Sequence, residues 1–150
     1  MINLDLVRAA LAEDLAGGVD VTSTATISVD AELQAEFVAR ESGVVAGIEM
    51  AKAVLTEVGV AEIKVLVQEG AFVNAGGVLI KVSGNARAIL LAERTALNFL
   101  GHLSGIATLT NKWVKEIAGT NCEVRDTRKT TPGWRELEKF AVRMGGGTNH

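Results

Sequence analysis

Tyrosine is absent from this 150-residue chain, and cysteine and proline occur once each. Four Phe and two Trp are the only aromatics. So few stacking faces, on a chain of net charge −3, argue against a general nucleic-acid binder. The single Cys122 cannot form an intrachain disulfide, which fits a reducing cytoplasm. Long apolar runs are missing too. The longest, Ala88 to Ala92, has five residues, where a membrane span needs roughly 20. Asp5, Glu13 and Asp14 interrupt the N-terminal apolar groups, and no secretory signal pattern appears. There is no His pair at i, i+4, no Cys pair, and no Walker or dinucleotide glycine motif.

What is present is globular. Apolar types make up 48% of the chain and charged types 22%, enough to build a core and too apolar for wholesale disorder. The length fits about one domain. Charge is uneven: residues 1–110 carry 7 basic and 13 acidic side chains, residues 111–150 carry 8 and 5. A basic patch at one end of an acidic chain suits a local anionic ligand better than a polyanion.

Hydrophobic periodicity predicts a mixed chain. Leu4, Val7, Leu11 and Leu15 recur at helical spacing, and Gly17-Gly18 stops that helix. Thr22 to Ser28 reads as a loop. Ala31 to Glu41 alternates as a half-buried strand, with Leu33, Ala35, Phe37 and Ala39 inward. Val44–Ala46 is a short apolar run. Glu49–Val58 reads as a helix, and residues 63–67 and 78–82 as strands. A helix over Ala86–Leu103 follows, then a second from Ile106 with Leu109, Trp113 and Ile117 on its apolar face. Residues 123–127 read as a short strand, and Cys122, at its apolar start, reads as core rather than as a nucleophile. Thr131 and Pro132 open a last helix that buries Trp134, Leu137, Phe140, Ala141 and Met144. Strands and helices mix up to about residue 105; helix, strand and helix then begin an α/β repeat. The expected organisation is a domain over 1–105 and the opening of a second over 106–150. A second parallel strand is due where the chain ends, so a truncated chain is expected.

The densest polar cluster is Arg125-Asp126-Thr127-Arg128-Lys129-Thr130-Thr131, between a strand end and a helix start. The C-terminal end of a parallel strand is where α/β active sites form, and arginine offers a planar fork to a carboxylate or phosphate. The same cluster reads equally as a solvated loop. On a helical wheel Glu93 falls between Leu97 and Leu100, inside the apolar arc, while Arg94, Thr95 and Asn98 share the polar edge. Arg94 is then either half of an internal ion pair or a guanidinium presented to a ligand or subunit. His102 reads as a helix-end histidine. His150 follows Gly145-Gly146-Gly147, which either lets the backbone approach a ligand or stops a helix. Glu69 to Leu79 resembles the glycine-turn strands of biotinyl and lipoyl carrier domains, without their lysine motif.

Longer stretches carry a more specific likeness. Glu93-Arg94-Thr95-Ala96-Leu97-Asn98-Phe99-Leu100 with His102-Leu103-Ser104-Gly105-Ile106-Ala107-Thr108, then residues 125–133, 139–143 and 145–150, resemble in order the quinolinate phosphoribosyltransferase family. Glu13-Asp14-Leu15 and Asp20-Val21-Thr22-Ser23 resemble its opening. The resemblance implies an α/β fold: an N-terminal α/β sandwich domain, then the first part of an incomplete α/β barrel. It implies transfer of phosphoribosyl from phosphoribosyl pyrophosphate to quinolinate, with loss of CO2 and formation of nicotinate mononucleotide for NAD synthesis. It also implies magnesium, with ligands outside this chain, and a cytoplasmic homodimer without nucleic-acid or membrane partners. Position by position, Thr127, Arg128, Lys129 and His150 resemble quinolinate-pocket residues, and Arg94 an arginine donated by the partner subunit. No residue here is expected to act as an acid, base or nucleophile, and the 150-residue chain alone is expected to be inactive. The molybdenum-transport-associated homologues share the fold and some motifs and are the nearest alternative.

Overall fold

The structure, a computed structural model, describes residues 3–150. Helix α1 (Leu4–Asp14) starts where the Asn3 side chain accepts the Leu6 N–H at 3.1 Å. It ends at Ala16 and Gly17, both at positive φ. Its buried Val7 and Leu11 pack on α3 (Ile48–Glu57). The main sheet is antiparallel: β5 (Val78–Asn85) runs between β1 (Glu32–Val38) and β3 (Glu62–Val65). The alternation expected over residues 31–41 holds. Phe37 pairs with Ile80, and both are buried in one core with Val82, Ile89 and Phe99. A two-stranded sheet, β2 (Gly43–Val44) with β4 (Phe72–Val73), lies apart. The glycine turn between β4 and β5 closes through Gly77 N–H to the Asn74 carbonyl at 3.0 Å.

The N-terminus of α3 shows how distant sequence finishes a local element. Gly47 precedes it at φ +98° and has no side chain to cap with. Glu69 supplies the cap instead, accepting from Gly47 N at 2.8 Å and Glu49 N at 3.1 Å. Burial pushes the Glu69 carboxyl up, against the pull of those N–H groups. Gly47 is also sterically required: a Cβ there would lie 3.0 Å from Leu103 Cδ1 and 3.1 Å from the Phe99 carbonyl oxygen.

Several expectations are corrected. Residues 22–28 are not a loop throughout: α2 (Val21–Thr26) forms there. Asp20 caps it, accepting from Ser23 N at 3.0 Å, and Ser23 holds the Asp20 carboxyl below its ordinary value. Arg87 closes its other end, donating from Nε to the Ile27 carbonyl at 2.9 Å and from Nη2 to that of Thr24 at 3.1 Å. Thr and Val are weak helix formers, so the caps rather than the composition decide this turn.

The two helices expected around residue 105 are one. Helix α4 runs unbroken over Ala86–Glu116, so the 105/106 boundary falls inside it. Gly101 and Gly105 weaken a helix by about 1 kcal/mol each relative to alanine. Side chains on the same stretch tie it to the body. Ser104 Oγ accepts from Ala46 N at 3.0 Å and Thr108 Oγ1 from Val44 N at 2.9 Å. His102 is therefore mid-helix. The helix also turns a different face inward than the wheel suggested. Glu93 is exposed and Leu97 is 44% exposed, whereas Thr95 is 3% exposed. Leu109 and Trp113 are each 58% exposed. The buried seam is Ala92, Ala96, Phe99, Leu103, Ala107 and Thr110, mostly small residues that let helices approach closely.

The last forty residues differ most from expectation. Residues 123–127 form no strand. They make one parallel bridge, Arg125 with Thr148, through Thr148 N to the Val124 carbonyl (2.9 Å) and Asp126 N to that of Thr148 (3.1 Å). A ladder needs further pairs, and among the described residues Arg125 with Thr148 is the one bridge this segment makes. Cys122 is exposed rather than in the core. The last helix, α5 (Arg135–Met144), begins after a turn over residues 132–134 and has no side-chain cap, so Thr131 and Pro132 lie before it. Its buried face is as expected: Leu137 and Ala141 are buried, with Trp134, Phe140 and Met144 packed against the core.

Candidate active site

The site is built on two segments and one helix. The loop 125–131 lies between α4 and α5 in the chain, residues 148–150 run beside its start, and α5 supplies side chains that bind both. Asp126 joins all three. Its side chain is 3% exposed and its Oδ2 meets Lys139 Nζ of α5 at 2.6 Å. Its Oδ1 accepts the His150 backbone N–H at 2.8 Å. The Asn149 amide, oriented so that both its ends are satisfied, donates to Asp126 Oδ2 and to the Lys139 carbonyl, each at 3.0 Å, and accepts from Arg143. The Lys139 ammonium, helped by the His150 N–H, holds the Asp126 carboxyl below its ordinary value despite burial.

Past Asp126 the loop is tied from below. Thr127 Oγ1 accepts from Lys129 N at 3.1 Å, a local turn bond. Arg135 of α5 donates from Nη2 to the Arg128 carbonyl at 3.3 Å and from Nε to Thr130 Oγ1 at 3.2 Å. Glu138 accepts Thr131 N at 3.2 Å and meets His102 Nε2 of α4 at 3.0 Å. Burial raises the Glu138 carboxyl, but the bonds from Thr131 and His102 outweigh it and leave it lowered. The bonds to Lys129 N, the Arg128 carbonyl and Thr131 N hold the loop backbone, and those of Arg135 to Thr130 and of Glu138 to His102 join side chains. The side chains of Arg128 and Lys129 stay exposed, and among the described residues neither has an ion-pair partner.

Of the residues singled out in the sequence, Thr127, Arg128, Lys129 and His150 are thus brought together around Asp126. Arg94 is not joined to them. It sits on α4, 72% exposed by side chain, with Nη1 at 2.7 Å from Asp14 Oδ1 of α1. A surface pair of this kind is worth about 1 kcal/mol or less, so a stronger acceptor displaces it readily. Gly145 and Gly147 are set by packing, while Gly146 is exposed. A Cβ on Gly145 would meet the Ala107 carbonyl oxygen and come within 2.6 Å of Thr110 Cβ, and one on Gly147 would lie 2.7 Å from Val142 Cγ1. They are where the end of α5 crosses α4.

Sequence reasoning did not single out Asp126, Lys139, Asn149 or Glu138. Asp126 stood inside the cluster, but nothing in its spacing marks it as buried, and Lys139 follows it by thirteen positions. Among the described residues no group of three or more His, Cys, Asp or Glu side chains converges to hold a metal ion. No helix among the described residues is long and apolar enough to cross a membrane.

Comparison with known proteins matches the chain to one family. Residues 20–104 match the quinolinate phosphoribosyl transferase N-terminal domain, and residues 106–150 match the quinolinate phosphoribosyl transferase C-terminal domain. The carboxylating nicotinate-nucleotide pyrophosphorylase of Mycobacterium leprae is 49% identical over 149 residues, covering 97% of this chain and 52% of that protein. The chloroplastic protein of the same name from Arabidopsis thaliana is 44% identical over 146 residues, covering 97% of this chain and 41% of its own. The solved nicotinate-nucleotide pyrophosphorylase of Francisella tularensis superposes with a TM-score of 0.90 at 41% identity, covering all of this chain and 55% of that one. The chain therefore spans about half the length of the curated relatives it matches.

Proposed function

The chain belongs to the quinolinate phosphoribosyltransferase family, and from that premise we propose that Thr127, Arg128, Lys129 and His150 form the quinolinate end of its active site. The observation that carries this is the pair of exposed, unpartnered cations, Arg128 and Lys129, on a loop whose backbone is tied down. Quinolinate has two adjacent carboxylates. Arginine grips one through two parallel N–H donors, and the lysine supplies a point charge for the other. The His150 backbone N–H is bound to Asp126 at 2.8 Å, at the start of the same loop.

The reaction this site serves forms a bond from the pyridine nitrogen to the anomeric carbon of phosphoribosyl pyrophosphate. The bond from that carbon to pyrophosphate oxygen breaks, and the electron pair leaves with pyrophosphate. The ring carboxylate beside the nitrogen then departs as CO2, its bonding electron pair stays on the ring carbon, and a proton taken up there from water gives nicotinate mononucleotide. The ring nitrogen is already nucleophilic, so this chain's contribution is binding and alignment rather than proton removal. Magnesium, expected from the family resemblance, would neutralise pyrophosphate. We further propose a cytoplasmic homodimer in which Arg94 releases Asp14 and completes the partner's quinolinate pocket.

The test is selectivity between one carboxylate and two. Calorimetry on the protein expressed from its whole reading frame is expected to show quinolinate binding about tenfold to a hundredfold tighter than nicotinate, the effect of one charge-assisted bond. Equal affinities would mean that the cluster does not read the second carboxylate, and the substrate would have to be withdrawn.

A further inference from the structure

We propose that Asp126 is the positioning residue of this site: one buried carboxylate fixes His150 and the Thr127–Lys129 loop relative to each other. The proposal rests on the quinolinate reading above. Asp126 touches no open space itself, being 3% exposed. Its three partners come from two separate parts of the fold, Lys139 from α5 and both Asn149 and His150 from the end of the described chain. The backbone bridge adds only two hydrogen bonds between the segments. Without the carboxylate, the ties left between the two segments are that bridge and two long bonds from Thr148 Oγ1, to Glu123 Oε2 and to the Val124 carbonyl, each at 3.4 Å; none of them reaches His150 or the Thr127–Lys129 loop itself.

Charge and chemistry support a role beyond stability. A buried ion pair is seldom more stabilising than a well-packed apolar pair of the same size, so stability alone does not call for one here. What the pair provides is directional: bonds of 2.6 and 2.8 Å to a charged oxygen set positions that apolar contact leaves loose. It also sets the charge that a substrate meets. Lys139 is neutralised by Asp126 and its side chain is 15% exposed, so Arg128 and Lys129 are the loop's exposed cations without an ion-pair partner among the described residues. Asp126 thereby acts through other residues and touches no substrate.

Two variants separate positioning from folding, both in the protein expressed from its whole reading frame. Asp126→Asn turns an amide donor toward the Lys139 ammonium and leaves that charge buried without its partner. Asp126→Leu combined with Lys139→Met removes both charges together, a replacement that is often nearly neutral for stability. The double variant leaves the His150 N–H and one Asn149 N–H without their acceptor but buries no unpaired charge, so it is expected to stay folded and to melt above Asp126→Asn. Its KM for quinolinate is nevertheless expected to rise about tenfold or more, since small misplacements of binding groups are costly, while its KM for phosphoribosyl pyrophosphate stays within about twofold. A purely structural Asp126 predicts the opposite: a stable double variant with a wild-type quinolinate KM, which would overturn the proposal. A substrate-free readout stands beside the kinetics. The His150 amide proton is expected downfield and slow to exchange in wild type, and the Thr127–Lys129 amides are expected to shift with it in the double variant. If wild-type protein turns over no quinolinate, the functional reading falls, and the amide spectra alone decide Asp126: shifted loop amides support positioning, and unmoved ones overturn it.

Discussion

Chains carrying Arg94→Ala and chains carrying Arg128→Ala, each expected to lose activity by about a hundredfold or more, are expected to regain it when mixed. The reason is the separation of the two arginines. Arg128 stands on the loop beside Asp126, whereas Arg94 points to Asp14 of α1, and among the described residues no hydrogen bond or ion pair joins it to that loop. If a two-fold dimer places Arg94 of one protomer in the pocket of the other, a mixed dimer holds one site with both arginines intact and one with neither. Random exchange of equal amounts then restores about a quarter of the wild-type sites. Recovery is read as product formation after the two variants are unfolded and refolded together. Absence of recovery, with mixed dimers shown to form, would place Arg94 outside the shared site. The exposed ion pair to Asp14 would then be its only role.

The second large effect concerns stability. Gly145→Ala is expected to destabilise the fold by about 3 kcal/mol, a fall in Tm of roughly 10 °C for a chain this size. Gly145 has ordinary helical geometry, φ −76° and ψ −3°, so alanine meets no backbone strain. The cost is steric: the new methyl collides with the Ala107 carbonyl and lies 2.6 Å from Thr110 Cβ. Neither obstacle is the far end of a flexible side chain, so α5 must lift from α4 to admit it. Gly146→Ala is the control. Its φ of +89° disfavours alanine, but its nearest neighbour is Val114 Cγ1 at 3.6 Å, so the loss is confined to about 1–2 kcal/mol of backbone strain. Thermal melts of the two variants separate the explanations. Equal shifts would mean that backbone conformation, not the α4–α5 crossing, accounts for these glycines. Since α5 carries Lys139, Arg135 and Glu138, the Gly145 variant is also expected to loosen the site loop.

The sequence makes local pattern legible and leaves tertiary choice obscure. Alternation over residues 31–41 marks β1 because a sheet with one buried face repeats every two residues. Cations followed by hydroxyls mark the loop 127–131. What escapes pattern is decided elsewhere in the fold. Helix α4 survives Gly101 and Gly105 because Ser104 and Thr108 bind the backbone of residues 44–46 from the far side of the chain. Its inward face is chosen by close packing, so small Ala96, Ala107 and Thr110 go in while Leu97 and Trp113 stay out. The extended segment 123–127 remains a single bridge because few residues run beside it. Asp126 escapes for the same reason as Glu69: a lone acidic residue looks solvated until its distant partners are in place.

The most direct test of the central claim is the product itself. The protein expressed from its whole reading frame, given quinolinate, phosphoribosyl pyrophosphate and magnesium, is expected to release pyrophosphate, CO2 and nicotinate mononucleotide in equal amounts, followed by chromatography and CO2 capture. Arg128→Ala is expected to abolish most of all three together. A folded wild-type protein that consumes neither substrate, or that forms a ribosylated product without releasing CO2, would contradict the account.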